Sequence, residues 1–394
     1  MWKKLVTLLL VLVLIPLPGV LTQETQKIIV LTSDNLADSA MAEVVGKLLG
    51  ADVVTTEWGV YDPEVTFDVL AEGPDLVIII GGTLAVPSEY EEDFSTAGVD
   101  VMRWGGANRE ETSYNVLTGL ERYFPSALEK ANTVVFIEGR NPAAFSVVET
   151  FTKLESPDGA IVLFADMSDE SFRDVALSVV DAVGAQRVEI VVLAGEKSKP
   201  VFGKESLVLN VSMTLNERGI EADVSYMTPS RKIAATAITK ADSTLLNLPT
   251  YDDTTEERLE KAKKLLEKAR EAYERGNYME AYLLALTAEG YADVVKKRNL
   301  EVFRSTFQGS GKHGLEFKLM RLKWIVKALK ANGRDVSDLE SLIADIEYLI
   351  NTGHYGEAAQ RIESLKKDIR EEYARGREGG RRNAPSNPGN DHRP

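Results

Sequence analysis

The chain reads as an α/β protein in which two Rossmann-like βαβ modules precede an all-α helical bundle. Three observations predict this. From residue 27 to about 250, short β-branched runs alternate with amphipathic stretches, the pattern of βαβ units and parallel sheets. Several of those runs are apolar without a break, which suits strands buried on both faces. From 252 to 376 the texture changes to Ala, Leu, Glu, Lys and Arg at helical spacing. The organisation expected is a leader over 1–22, a first α/β module over 23–100 and a second over 101–200. A β-hairpin and connector over 201–251, a helical bundle over 252–376 and a disordered tail over 377–394 follow.

The leader comes first. Met1, Trp2, Lys3 and Lys4 form a short basic start, Leu5 to Ile15 is apolar apart from Thr7, and Pro16 and Pro18 end the run. Val20 and Thr22 then occupy the small-residue positions before a cleavage point near Gln23, the anatomy of a secretory signal peptide. An uncleaved membrane anchor is the alternative, but the run falls short of the roughly 20 apolar residues that a full span needs. No later run is long enough to span, so no membrane span is expected after cleavage. The chain is therefore expected outside the cell or on its surface. It has no cysteine, which is compatible with export and removes thiolate nucleophiles and thiolate metal sites. Gln is scarce while Glu and Lys abound, a pattern expected of a heat-adapted (thermophile) source.

The formal net charge is -15. Acidic side chains outnumber basic ones about two to one over 27–251, whereas the helical region is near neutral. That argues against non-specific binding to nucleic acid or to anionic membrane, both of which need a basic face, and no nucleic-acid partner is expected.

Strands are expected at Ile28–Leu31, Asp52–Thr55, Leu76–Ile80, Val99–Arg103, Val134–Ile137, Ile161–Phe164 and Val188–Leu193. Helical patterns fall between them, at Asp38–Leu49, Thr112–Tyr123 and Ser171–Val183. The two modules match each other. Ile29-Val-Leu-Thr-Ser-Asp-Asn-Leu36 corresponds to Val135-Phe-Ile-Glu-Gly-Arg-Asn-Pro142, each a strand ending in a polar turn that holds Asn. Gly50-Ala-Asp-Val-Val corresponds to Gly159-Ala-Ile-Val-Leu, and Leu76-Val-Ile-Ile-Ile-Gly-Gly82 to Ile190-Val-Val-Leu-Ala-Gly195. This is an internal duplication.

Val77-Ile-Ile-Ile-Gly-Gly-Thr-Leu-Ala-Val86, followed by Arg103-Trp-Gly-Gly-Ala-Asn-Arg-Glu-Glu-Thr-Ser113, resembles the type 2 cell-wall-binding repeat. Arg103, Gly106, Arg109 and Thr112 fit that family's Arg-x-x-Gly-x-x-Arg-x-x-Thr block, and Ser33-Asp-Asn-Leu-Ala-Asp38 is similar to its strand-to-helix turn. The resemblance covers about 27–200. It implies Rossmann-like modules that hold surface proteins non-covalently to anionic wall polymers. The family usually has three tandem modules where two are found here, and the second has only Gly195 where a Gly-Gly pair is usual.

Two readings of this block stand side by side. In the structural one, Gly81 and Gly82, and likewise Gly105 and Gly106, let the chain turn sharply at a strand end. Arg109 then pairs with an acid across the module, and Thr112 caps the following helix. In the functional one, Arg103, Asn108, Arg109 and Thr112 form a ligand-binding turn, with the arginines making bidentate contacts to phosphate or carboxylate groups of a glycan. The acidic surroundings favour the structural reading of the arginines.

Enzymatic chemistry is not expected. The histidines are His313, His354 and His392, so the α/β region holds no His-based triad and no His metal site. Neither a Gly-x-Gly-x-x-Gly turn after the first strand nor a Walker phosphate loop is present, and no cofactor or metal is expected. A glycosidase-like use of two carboxylates is the remaining catalytic alternative.

Leu207, Leu209, Val211, Met213 and Leu215 alternate, Asn216-Glu-Arg-Gly219 forms a turn, and Ile220–Met227 returns, which predicts a β-hairpin. Asn210-Val-Ser212 is a glycosylation sequon, and Asn210 alternates away from the apolar face. Arg231–Leu248 is taken as a connector. In the helical region, Leu266, Ala269, Gly276, Tyr278 and Ala281 recur at constant register as Ile343, Ile346, Gly353, Tyr355 and Ala358. Each copy reads as an αα-hairpin with a turn similar to tetratricopeptide-type repeats, and Leu315–Leu329 supplies a helix between them.

The function expected is that of an exported cell-surface binding protein, held to an envelope polysaccharide or glycoprotein through its α/β repeats. An envelope scaffold that binds a protein partner through the helical bundle is the alternative.

Overall fold

The computed structural model describes residues 26–138, 159–167, 171–193, 202–246, 248–250, 252–307 and 311–383. The leader, the turn at Gly139–Pro142, Gly195 and residues 384–394 lie outside them.

The first sheet contains β1 (Ile28–Ser33), β2 (Asp52–Thr56), β3 (Leu76–Ile80) and β4 (Asp100–Trp104), all parallel, in the order β2-β1-β3-β4. The helices α1 (Leu36–Leu49), α2 (Pro63–Ala71), α3 (Glu89–Ala97) and α4 (Arg109–Tyr123), with the short α5 (Pro125–Leu128), connect or follow these strands. The second sheet repeats the arrangement, with β5 (Ala131–Glu138), β6 (Gly159–Ala165), β7 (Arg187–Leu193) and β8 (Glu221–Met227) in the order β6-β5-β7-β8. Its described helices are α6 (Phe172–Val183), α7 (Phe202–Glu217) and α8 (Arg231–Leu245). The matched segments of the two modules thus occupy equivalent places: β1 with β5, β2 with β6, and β3 with β7.

The uninterrupted apolar runs are the central strands. All five residues of β3 are buried, as are the last five of β1, whereas the mixed sequences of β2 and β4 lie at sheet edges.

Three expectations are corrected. The first module does not end at residue 100: β4 pairs with β3, Leu76 opposite Asp100, so the first unit runs through α4 and α5. The predicted β-hairpin is absent, because residues 202–217 form helix α7 and only 221–227 form a strand. That strand runs parallel to β7, and parallel neighbours need a crossover rather than a tight turn. Val208, Val211 and Leu215 face the core at helical spacing, while Leu209 and Met213 face solvent. The connector is helix α8, which follows β8 as α4 follows β4. In addition, α13 (Tyr355–Asn383) continues past Gly376, where a disordered tail was expected; Arg and Glu in this stretch are good helix formers.

The C-terminal region contains α9 (Asp253–Glu274), α10 (Tyr278–Phe307), α11 (Lys312–Ala331), α12 (Ser337–Asn351) and α13. The α9–α10 and α12–α13 hairpins turn through Gly276 and Gly353, at φ 78° and 81°, the left-handed region that favours glycine. Two cores organise the α/β half. Val30, Ile78 and Ile80 point towards α1 and α4, which lie between the two sheets and pack on β6. Ile29, Leu31, Val77 and Ile79 point the other way, into a core shared by α2, α3 and the C-terminal helices α11, α12 and α13. The change of composition near residue 252 is therefore not a boundary in the packing. Helices α8, α9 and α10 pack on one another.

Candidate functional site

Strands β1, β3 and β4 end at one edge of the first sheet, and the turns that follow them build the site. At the end of β3, Gly81 has φ 119°, and a side chain there would crowd Asp38 Oδ2 at 3.0 Å. Gly105, at the end of β4, lies so close that a Cβ would sit 2.2 Å from the Gly81 carbonyl oxygen. Gly82 approaches the Gly106 carbonyl in the same way, at 2.7 Å. These glycines pack backbone against backbone and fix the spacing of the two turns.

The block around them divides into fasteners and cleft wall. Arg103 donates from Nη1 to the Gly81 carbonyl and from Nη2 to Glu91 Oε2, both at 2.8 Å, and its side chain is only 13% exposed. It braces the turn after β3 against helix α3. Thr112 Oγ1 accepts from the Gly106 amide at 3.0 Å and donates to the Asn108 carbonyl at 2.9 Å. Asn108 is the N-cap of α4 and accepts from the Glu111 amide at 2.7 Å, while Glu111 Oε2 accepts from the Ala107 amide at 2.8 Å. Arg109, the first residue of α4, faces a cleft.

That cleft, about 830 Å³, lies between the sheet edge and helix α10. One wall is Asn35, Asn108, Arg109 and Glu110, from the starts of α1 and α4. The other is Leu283, Leu286, Thr287, Glu289, Gly290, Tyr291, Asp293 and Val294, from α10. Asn35 caps α1, accepting from the Ala37 amide at 3.1 Å.

Charged contacts hold the helical layer over this edge. Lys240 of α8 pairs with Glu289 at 3.1 Å and donates to the Asp34 carbonyl at 3.4 Å. Lys296 of α10 pairs with Glu57 at 3.0 Å, and Arg304 with Glu89 at 3.1 Å. Below the cleft, Ser33 donates to the buried Asp38 carboxylate at 3.0 Å. Burial pushes Asp38 up to about 6, against the Ser33 hydrogen bond and the charges of Arg109 and Lys240. Burial, then the charge of Glu289, pushes Asp293 up to about 7, opposed by Lys296, Lys240 and Arg109. Tyr282 of α10 is buried and its hydroxyl pushed up by that burial, with Arg109 opposing.

The second module repeats the device. Ser230 caps α8, and Arg231, in the place of Arg109, donates from Nε to the Tyr273 hydroxyl of α9 at 3.2 Å. In both modules, the arginine that opens the helix after the fourth strand faces the α9–α10 hairpin.

Asn210 is exposed on helix α7, while Ser212 of its sequon is buried and donates to the Ala222 carbonyl at 2.8 Å. Exposed His313 lies against Glu316, and exposed His354 against Thr352, and neither lines the cleft. Among the described residues, no group of three or more His, Cys, Asp or Glu side chains could hold a metal ion, and no helix is long and apolar enough to cross a membrane.

Sequence reasoning missed Lys240, Tyr282, Glu289 and Asp293, which reach the site from helices far along the chain. One signal was present: Gly290 interrupts an otherwise strongly helical stretch.

No family model matches the chain. The chain is similar to the uncharacterized protein MJ0755 of Methanocaldococcus jannaschii, 39% identical over 146 residues, which covers 37% of this chain and 43% of that protein's length. Among solved structures it is similar to Cwp6 from Clostridium difficile, with 16% sequence identity and a TM-score of 0.39, over 55% of this chain and 31% of that one.

Proposed function

We propose that the chain is an exported, cell-surface binding protein that attaches non-covalently to envelope glycan or polymer, and that it does so by binding rather than by catalysis. The observation that supports this most is the place of the cleft. Open parallel sheets take ligands outside the carboxyl ends of their strands, where the strand order reverses. In the order β2-β1-β3-β4 that point lies between β1 and β3; the turn after β1 supplies Asn35 to the cleft, and the turn after β4, which packs on the turn after β3, supplies Asn108 and Arg109. The secretory start expected at the N-terminus supplies the location.

The test is co-sedimentation of the full chain with isolated envelopes. The wild type is expected to sediment with them. Thr287→Trp, at an exposed position of the cleft wall, is expected to stay soluble with an unchanged melting temperature. A wild type that stays in the supernatant overturns the reading. Release of reducing sugar from the envelopes would replace binding by carboxylate-based hydrolysis.

A further inference from the structure

Resting on that reading, we infer that the cleft seats a neutral, hydroxyl-rich sugar ring of the envelope glycan and rejects anionic polymer chains. Its two walls differ in kind. On α10, Leu283 and Val294 are 40% and 37% exposed and present apolar surface beside Tyr291. The facing wall is polar. Asn35 and Asn108 there use their side-chain oxygens to cap helices, which leaves each amide nitrogen available to a ligand oxygen. A pyranose ring matches this arrangement, with apolar faces and hydroxyls around the edge that both donate and accept.

Charge selects against anions. Glu110, Glu289 and Asp293 line the cleft and Asp38 lies beneath it. Lys240 and Glu289 neutralise each other, which leaves Glu110, Asp293 and the underlying Asp38 against Arg109. Burial is the first cause of the raised pKa values of Asp38 and Asp293, and the same loss of water would penalise an arriving anion. A sugar hydroxyl can instead donate to these oxygens.

Gly290 is an independent sign. A glycine inside a helix is destabilising relative to alanine. Here a Cβ would meet nothing within 4 Å, so no packing requires the glycine. Its missing side chain keeps the cleft open.

Neutral and acidic oligosaccharide fractions, released from the same envelope material, are titrated into the full chain by calorimetry. The neutral fraction is expected to bind and to displace the chain from envelopes, with the acidic fraction about tenfold weaker or more. Gly290→Leu is expected to keep the melting temperature and lose neutral-fraction binding by about tenfold or more. Acidic material binding as well as neutral, or Gly290→Leu binding like wild type, overturns the inference. A chain that sediments with envelopes but ignores the neutral fraction sinks this inference alone; one that does not sediment sinks the surface-attachment reading with it.

Discussion

Asp38 and Asp293 make the cleft sensitive to pH, and the direction follows from their surroundings. Both carboxyls are raised above the ordinary carboxylate value, to about 6 and about 7. Asp38 is met by Ser33, Arg109 and Lys240; Asp293 is met by Glu289 and Lys296 on its own helix, Lys240 on α8 and Arg109 on α4. Between the unfolded and folded values, the folded chain holds protons that the unfolded chain has released. Their contribution is therefore fully present below the unfolded value, near pH 4, and is lost as pH rises through 6 and 7. Urea midpoints are expected to fall between pH 5 and pH 8. Asp293→Asn, which removes the ionisation, should stabilise the chain at pH 8 by roughly 1–3 kcal/mol, solvent access to this half-buried group trimming the effect. It should also flatten the upper part of the profile. An Asn variant with the wild-type slope would show that Asp293 is not the titrating group.

At the scale of elements, the β6 edge of the second sheet shows how one module depends on the other. Strand β6 lies at a sheet edge, yet its last five residues are buried, because α1 and α4 of the first module pack on it. Ser113 of α4 accepts from the Phe164 amide of β6 at 2.8 Å and donates to Met41 Sδ of α1 at 3.2 Å. Ser113→Ala would leave a buried amide unsatisfied and should cost about 1–3 kcal/mol, read as a lower urea midpoint. A loss within experimental error would show that the edge amide finds another partner. Elements with strong local signals were legible from sequence. The central strands β1, β3, β5 and β7 stood out as apolar runs, and the αα-hairpins through their constant register. Helix α7 was not legible, because Leu207 to Leu215 satisfies alternation and helical spacing alike, and only the parallel pairing of β7 with β8 decides between them. The turn glycines stand backbone against backbone and Arg103 donates to the Gly81 carbonyl, contacts between two turns more than 20 residues apart in the chain. Half of the cleft was not readable, because the α10 wall, Leu283 to Val294, lies far along the chain from Asn35, Asn108, Arg109 and Glu110.

Over the whole molecule, the same separation makes the first module dependent on the C-terminus. Helices α11 and α13 pack on α2 and α3, within one core that continues to the outer face of the first sheet. The buried guanidinium of Arg321 fixes the seat: Nε donates to Asp93 Oδ1 at 2.8 Å, Nη1 to Glu92 Oε2 at 2.9 Å and Nη2 to the Glu89 carbonyl at 2.8 Å. Asp93 also accepts from the Tyr61 hydroxyl at 2.5 Å and from Thr66 at 3.2 Å. Asn332 and Tyr373 donate to the carbonyls of Leu70 and Pro74, at 3.0 and 3.3 Å. A chain ending at Phe307 would strip this cover from α2 and α3 and leave Asp93 without its guanidinium. Removing one partner of a buried ion pair alone costs about 3–5 kcal/mol, a large part of the 5–15 kcal/mol that holds a typical domain folded. The truncated chain is therefore expected to lose its cooperative transition and aggregate, while in the full chain the first sheet and α11–α13 melt together in calorimetry. Hydrogen exchange distinguishes the two outcomes by residue. Equal protection of β3 and α11 in the full chain is the result expected. A chain ending at Phe307 that keeps native protection in β1 and β3 would mean that the C-terminal helices are an accessory to this module rather than part of its core.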